Sequence, residues 1–301
     1  MACHIPISWI GAVTLCVTAS VACDKLGLGG DKGPMEPTGP PAPGSTIVYT
    51  AVGASDATAH GGSIECGLGF VDCPNGTGYV QVATRQLRAS GFTVKLTNLG
   101  LPTAVIGPDF QALSAQYRPS APVFGNYIDQ EMRFVPKDTT VVTIFAGGNE
   151  VNTITAALGG GAGASDQAGY IDQQVKAFGA DYATLLTGIR AQAATRIVVL
   201  NLPNLAGLPF LAGAGLPQRQ AAQRAAVAMA TTVTNPLTSQ GVAVVDLMCD
   251  PRSYLPSNYF SDGFHPNDSG YAFIAAEVVR AITLTTYPAP LSSCPPMTLV
   301  R

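Results

Sequence analysis

Residues 139–145 read TTVVTIF and run straight into Ala146-Gly147-Gly148-Asn149. A short, nearly continuous apolar run ended by glycines is the pattern of a strand buried on both faces. The pattern recurs along the chain. Residues 47–52 (IVYTAV) end in Gly53-Ala54-Ser55-Asp56, and residues 93–98 (TVKLTN) end in Leu99-Gly100-Leu101-Pro102. Residues 196–201 (RIVVLN) form another buried strand, and residues 242–246 (VAVVD) a last one. Helical spacing separates these runs at 78–90, 171–194 and 218–239, and a terminal helix is expected over 268–282. Such alternation predicts an α/β fold, a parallel sheet with helices on both faces and right-handed crossovers. Ligands of such sheets bind at the carboxyl ends of the strands, so chemistry should lie just after a strand.

Three connections are longer than usual, 107–137, 150–170 and 203–217, and are expected to form the rim of the site. The third carries Leu205, Leu208, Phe210, Leu211 and Leu216. It reads equally well as an apolar rim for an acyl group or as local packing over the sheet.

Composition narrows the function. The chain has 301 residues, 47% hydrophobic and 12% charged. That is long enough for one sizeable domain and too apolar for a disordered chain. A net charge of −3 offers no basic excess to neutralise phosphates, so no nucleic-acid partner is expected. Residues 1–22 read as an export signal. Their apolar stretch is uncharged and ends in small residues, although the segment before it holds only His4 as a basic group. Cys23 follows Val21-Ala22, a partial match to a bacterial lipobox, with Ser20 where Leu is usual. Residues 23–45 are expected to be a Pro- and Gly-rich tether, lipidated at Cys23. The domain proper spans 46–301, and the protein is expected in the bacterial cell envelope or secreted.

Beyond the signal and Cys23, four cysteines remain, Cys66, Cys73, Cys249 and Cys294, with three connectivities open. Local pairing, Cys66–Cys73 and Cys249–Cys294, is the simplest. Zinc spacing is absent and no histidine adjoins either pair.

Ser55 stands directly after a strand beside a glycine, where a nucleophile is exposed. Its hydroxyl needs a base. Past the signal there are two histidines, His60 and His265. His265 precedes Pro266, which biases it away from helical backbone and onto a loop. Asp262, three residues earlier, can reach the ring Nδ1 and leave Nε2 for the serine. Taken singly, Ser55 reads more readily as a helix cap and Asp262 as a turn carboxylate. Acyl transfer also needs donors for a developing oxyanion. The side-chain amide of Asn149, the Gly100 N–H and the Ser55 N–H are candidates, each after a strand. His60 reads as solvent-exposed, and Asp56 and Asp246 as local partners.

Ser55, Gly100, Asn149 and His265, in that order and with Asp262 closing a D-x-x-H, resemble the blocks of the SGNH (GDSL) hydrolase superfamily over residues 47–283. The resemblance implies a flavodoxin-like three-layer α/β/α sandwich. It implies Ser55 as nucleophile, His265 as general base and Asp262 as the residue that orients it. Ser55, Gly100 and Asn149 would be the oxyanion donors, with no metal or cofactor. Two positions depart from the family blocks: Ala54 stands where Asp precedes the serine, and Glu150 where Asp follows the asparagine. The implied activity is hydrolysis of carboxylic esters with short to medium acyl chains, on small-molecule or lipid substrates. A carbohydrate O-deacetylase of the same superfamily, or a catalytically silent glycan- or lipid-binding lipoprotein, are the other readings. An α/β-hydrolase elbow fails because Ala57 occupies the last position of G-x-S-x-G. A metal site from Asp56, Asp262 and His265 would leave Gly100 and Asn149 unexplained.

Overall fold

The computed structural model describes residues 35–69 and 73–300. The export signal and Cys23 lie outside them. The tether divides: residues 35–45 run along the domain, with the Met35 and Thr38 N–H groups donating to Arg190 O and Thr195 O.

The elements are β1 (Thr46–Gly53), α1 (Tyr79–Ala89), β2 (Thr93–Asn98), α2 (Pro108–Tyr117), α3 (Tyr127–Gln130) and β3 (Val141–Phe145). They continue as α4 (Gly148–Gly159), α5 (Gln167–Gln192), β4 (Arg196–Leu200), α6 (Leu216–Ala228), β5 (Ala243–Val245) and α7 (Asp268–Thr283). All strand pairs are parallel, in the order β2-β1-β3-β4-β5. That is the flavodoxin-like order, whose switch point lies between β1 and β3.

The period of two along each strand divides the core. Ile47, Tyr49 and Ala51 of β1, with Val141, Val198 and Val245, face α1 and α7. Val52, Val142, Ile144, Ile197, Val199 and Val244 face the other layer, α2 and α4 to α6. Each apolar side chain buried this way is worth about 1.5–3 kcal/mol. Polar groups inside the sheet are paired: the Tyr49 and Thr143 hydroxyls lie 3.0 Å apart and those of Thr50 and Thr139 2.9 Å apart.

Two of the expected rim loops are largely helical. Residues 108–117 form α2, with Pro108 in its first turn, where a missing N–H costs nothing. Residues 148–159 form α4, which buries Val151, Ile154 and Ala157 at helical spacing. Its sequence, GNEVNTITAALG, is rich in Gly and β-branched residues, so tertiary packing overrides a weak local preference. The third connection keeps its loop character, with short 3-10 turns. In it Leu205, Leu208 and Leu211 are buried, while Phe210 and Leu216 are exposed.

Two devices fix the ends of α7. Asn267 caps the helix, its Oδ1 accepting from the Ser269 and Gly270 N–H groups. At the other end the buried Arg196 guanidinium donates to Ala281 O and Leu284 O, satisfying carbonyls where the helix dipole favours a cation. Both cysteine pairs are disulfides, as local pairing expects: Cys66–Cys73 and Cys249–Cys294. The second closes a loop of 45 residues, for which chain entropy gives about 4 kcal/mol.

Candidate active site

The β1 ladder ends at Gly53, paired with Phe145 of β3. The Gly53 N–H then donates 2.8 Å to Glu131 Oε2. Glu131 is fully buried, its Oε1 has no partner among the described residues, and burial pushes its carboxyl well above the usual range. The strand end is thus held by a buried carboxyl from the segment after α3. Ser55 follows on a tight turn, where its carbonyl accepts from the Thr58 and His60 N–H groups and the Thr58 hydroxyl. Its own N–H makes no hydrogen bond among the described residues.

Ser55 Oγ lies 2.8 Å from His265 Nε2. On the far side of the ring, Nδ1 lies 2.6 Å from Asp262 Oδ2. With Nδ1 protonated toward the carboxylate, Nε2 is free to accept from the serine; this tautomer is assigned from the hydrogen bonds. Asp262 Oδ1 accepts from the Phe264 and His265 N–H groups, so a three-residue turn holds ring and carboxylate together. Gly263 makes the turn with φ +71°, and a Cβ there would lie 2.5 Å from Phe210 N.

The electrostatics follow. Burial raises the Asp262 carboxyl, but the bond from His265 and the two backbone N–H groups outweigh it and hold it down at about 2. Burial alone would lower His265. The bond to Asp262 and the charges of Asp56, Asp262 and Glu65 win, and its pKa is raised.

Asn149 stands in the first turn of α4, after the left-handed Gly147 at φ +116°. One hydrogen of its amide goes to Ala104 O at 2.9 Å. The neighbouring Glu150 is buried and accepts from Ile106 N at 2.5 Å. Burial pushes its carboxyl up to about 7, against the N–H bonds that favour its charge. Asn149 and Glu150 therefore clamp the 104–106 segment onto α4. Gly100 is placed differently from the other candidate donors. Its N–H donates 3.1 Å to Asn98 Oδ1, whose amide in turn donates to Ala57 O. A Cβ at Gly100 would lie 2.7 Å from Ala57 Cβ, so only glycine allows this approach.

A cavity of about 50 Å³ adjoins Ser55, with walls that include Asn149, Gly147, Tyr127, Leu208 and Phe264. Leu205 also lines it, so part of the third connection faces the site and part, including Leu211, packs into the core. Asp56 lines the cavity as well, and burial raises its carboxyl, partly offset by His265.

His60 is more than a solvent-facing group. Its ring meets His265 edge-on, with centroids 4.5 Å apart, and its Nδ1 lies 3.0 Å from Glu65 Oε1. The Tyr271 hydroxyl bonds its carbonyl. His60, Asp262 and His265 bring ligand-type atoms within 4.8 Å of one another. His60 Nδ1 pairs with Glu65, and both ring nitrogens of His265 are taken by Asp262 and Ser55. Asp246, read as a local partner, also bonds far along the chain, to Asn201 Nδ2 and Leu291 N.

Glu131 and the aromatic wall of Tyr127 and Phe264 were not readable as site residues. Glu131 meets Gly53 across 78 residues, and no spacing rule connects them.

A search among curated proteins found no match. Two solved structures share the fold. A lipase from a goat rumen metagenome is 16% identical, covering 80% of this chain and 100% of its own, with a TM-score of 0.52. A variant of an acetyl xylan esterase from Geobacillus stearothermophilus is 14% identical, covering 85% of this chain and 99% of its own, with a TM-score of 0.51. The model of the GDSL-like lipase/acylhydrolase family matches residues 41–273, most of the chain. With a five-stranded sheet in the 2-1-3-4-5 order behind it, the chain belongs to the GDSL-like lipase/acylhydrolase family.

Proposed function

We propose that the protein is a serine esterase that hydrolyses carboxylic esters of short acyl chains through an acyl-enzyme. The observation that carries this is the line Ser55 Oγ–His265 Nε2, 2.8 Å, and His265 Nδ1–Asp262 Oδ2, 2.6 Å, beside a cavity at the switch point of the sheet.

In this reading His265 accepts the Ser55 proton as Oγ attacks the ester carbonyl. The tetrahedral oxyanion takes hydrogen bonds from the Ser55 N–H and from the second hydrogen of the Asn149 amide. The Gly100 N–H joins them only by giving up its bond to Asn98. His265 returns the proton to the leaving alcohol. Water, deprotonated by the same ring, then releases the acid and restores Ser55. Asp262 stays ionised and holds the ring in one tautomer. The disulfides accord with an exported protein working in an oxidising compartment.

The cavity sets acyl size. The cavity of about 50 Å³ beside Ser55 is compact, and a compact space favours a short acyl tail over a long one. Hydrolysis of p-nitrophenyl esters from acetate to palmitate should therefore peak between acetate and butyrate and fall steeply beyond. Loss of that turnover in Ser55→Ala supports the reading. A palmitate optimum, or undiminished turnover in the variant, contradicts it.

The oxyanion assignment has its own test. Asn149→Ala should lower kcat about 10²–10³-fold with KM changed only a few-fold, because the lost bond forms fully only in the transition state. An unchanged melting temperature would separate this from loss of the Ala104 contact. A KM effect alone would remove Asn149 from the oxyanion site.

A further inference from the structure

A second imidazole stands beside the general base. The His60 and His265 rings meet edge-on, and one donor atom each from His60, His265 and Asp262 lies within 4.8 Å of the others. Ester cleavage uses His265 and Asp262 and has no step for His60. His60 is nevertheless fixed in place. Its Nδ1 lies 3.0 Å from Glu65 Oε1, which also accepts from the Gly61 N–H at 3.1 Å. Its carbonyl accepts from the Tyr271 hydroxyl. Ala59, just before it, has φ +66°, a left-handed conformation that a residue with a side chain keeps only where its surroundings hold it. With Nδ1 given to Glu65, the Nε2 lone pair of His60 is free; this tautomer is assigned from the contacts. A ring whose other nitrogen donates to a carboxylate is the form in which histidine ligates metals. Solvent reaches the group, since the His60 and Asp262 side chains are 44% and 35% exposed.

Two imidazoles and a carboxylate suit zinc, which takes three protein ligands and a water in a tetrahedron. Magnesium and calcium call for sets of oxygen ligands that this group lacks. Asp262 and Glu65 offset the two positive charges. Tetrahedral donors about 2.0–2.1 Å from zinc stand about 3.3 Å apart, so donors within 4.8 Å draw in by at most about 1.5 Å. Rotation of the half-exposed His60 side chain supplies that movement. Zinc on His265 Nε2 displaces the Ser55 hydroxyl. Zinc on Nδ1 leaves the ring proton on Nε2, which then cannot accept from Ser55. Either way the serine loses its base.

We propose that His60, His265 and Asp262 form an inhibitory zinc site, in which His60 is the ligand that catalysis does not need. The inhibition, though not the binding, rests on the reading of His265 as general base.

The test titrates the full-length protein with zinc chloride during hydrolysis of p-nitrophenyl butyrate, at a pH above the acid limb of His265. Zinc should abolish turnover below about 0.1 mM and a chelator should restore it, while magnesium and calcium at that concentration leave it unchanged. His60→Ala, and His60→Phe, which keeps a ring against His265, should retain turnover within a few-fold. Both should raise the half-inhibiting zinc concentration at least about tenfold. Calorimetry on Ser55→Ala should count one zinc per chain, and none at the same concentration once His60→Ala is added. Zinc sensitivity unchanged in both His60 variants overturns the proposal, as does full activity at 0.1 mM zinc or a zinc count that His60→Ala leaves at one. If no ester turns over, the reading of His265 as base falls, and the calorimetric count alone decides the metal site.

Discussion

Ser55→Ala is expected to lower kcat for a short-chain ester by about 10⁴-fold or more, and His265→Ala by a similar factor. The double variant should be little worse than either single one. The reason is the geometry: Ser55 Oγ and His265 Nε2 share one proton across 2.8 Å, so either change removes the same reactive unit. Residual turnover would come from the Ser55 N–H and Asn149 alone. Steady-state kinetics on the three variants checks this. Losses that multiply would mean that serine and histidine act separately. Stability should change little at Ser55, whose hydroxyl bonds only outward to the histidine, and thermal melts confirm that the loss is chemical.

Asp262→Asn should lower kcat about 10³–10⁴-fold and also reshape the pH profile. In the unsubstituted protein the His265 pKa is raised, with burial opposing and the bond to Asp262 prevailing. Only neutral His265 accepts the serine proton. Activity should therefore rise with pH along an acid limb whose inflection lies above the ordinary histidine value of about 6.5. Asp262, held at about 2, stays ionised across this window and adds no second limb. Asparagine removes the Asp262 charge and its charged hydrogen bond to the ring, while the charges of Asp56 and Glu65 and the lowering effect of burial remain. The limb should therefore move to lower pH even as the maximum falls. The ion pair also contributes to folding. The part due to the raised His265 is fully present below pH 6.5 and is lost as pH rises through the folded value. The part due to the depressed Asp262 is present above 3.8 and is lost as pH falls through about 2. A pH–rate profile of kcat/KM for both proteins measures the shift. An acid limb that stays in place would exclude Asp262 as the partner that sets His265.

The strands were readable because their signal is local and periodic. β2 falls on 93–98 as expected, and β1 and β4 differ from expectation by single residues at their ends. Ser55, Asn149 and His265 were readable because each follows a strand or precedes a helix cap, positions at which the chain is forced toward one end of the sheet. Asp262 was readable because it is three residues from His265. The helix α4 was not, since Gly148, Thr153 and Thr155 dilute its periodicity and its stability comes from burying Val151 and Ile154 against the sheet. The engagement of Gly100 was not either: its bond to Asn98 depends on how a side chain two residues away turns. The same holds for Glu131. A carboxyl in the segment YIDQEMRF looks like a solvated charge, and only the fold shows that it ends β1. Ala54 and Glu131 belong to one account. Position 54 carries no carboxylate, and the Gly53 N–H beside it bonds an acid from elsewhere in the chain.

The central claim is that Ser55 becomes acylated. The most direct test treats the full-length protein with a fluorophosphonate ester, then compares intact mass and digested peptides with those of Ser55→Ala. The expected result is one adduct per chain on the peptide containing Ser55, loss of ester hydrolysis in proportion to labelling, and no adduct in the variant. An adduct on another residue, or a fully labelled protein that still hydrolyses esters, would contradict it.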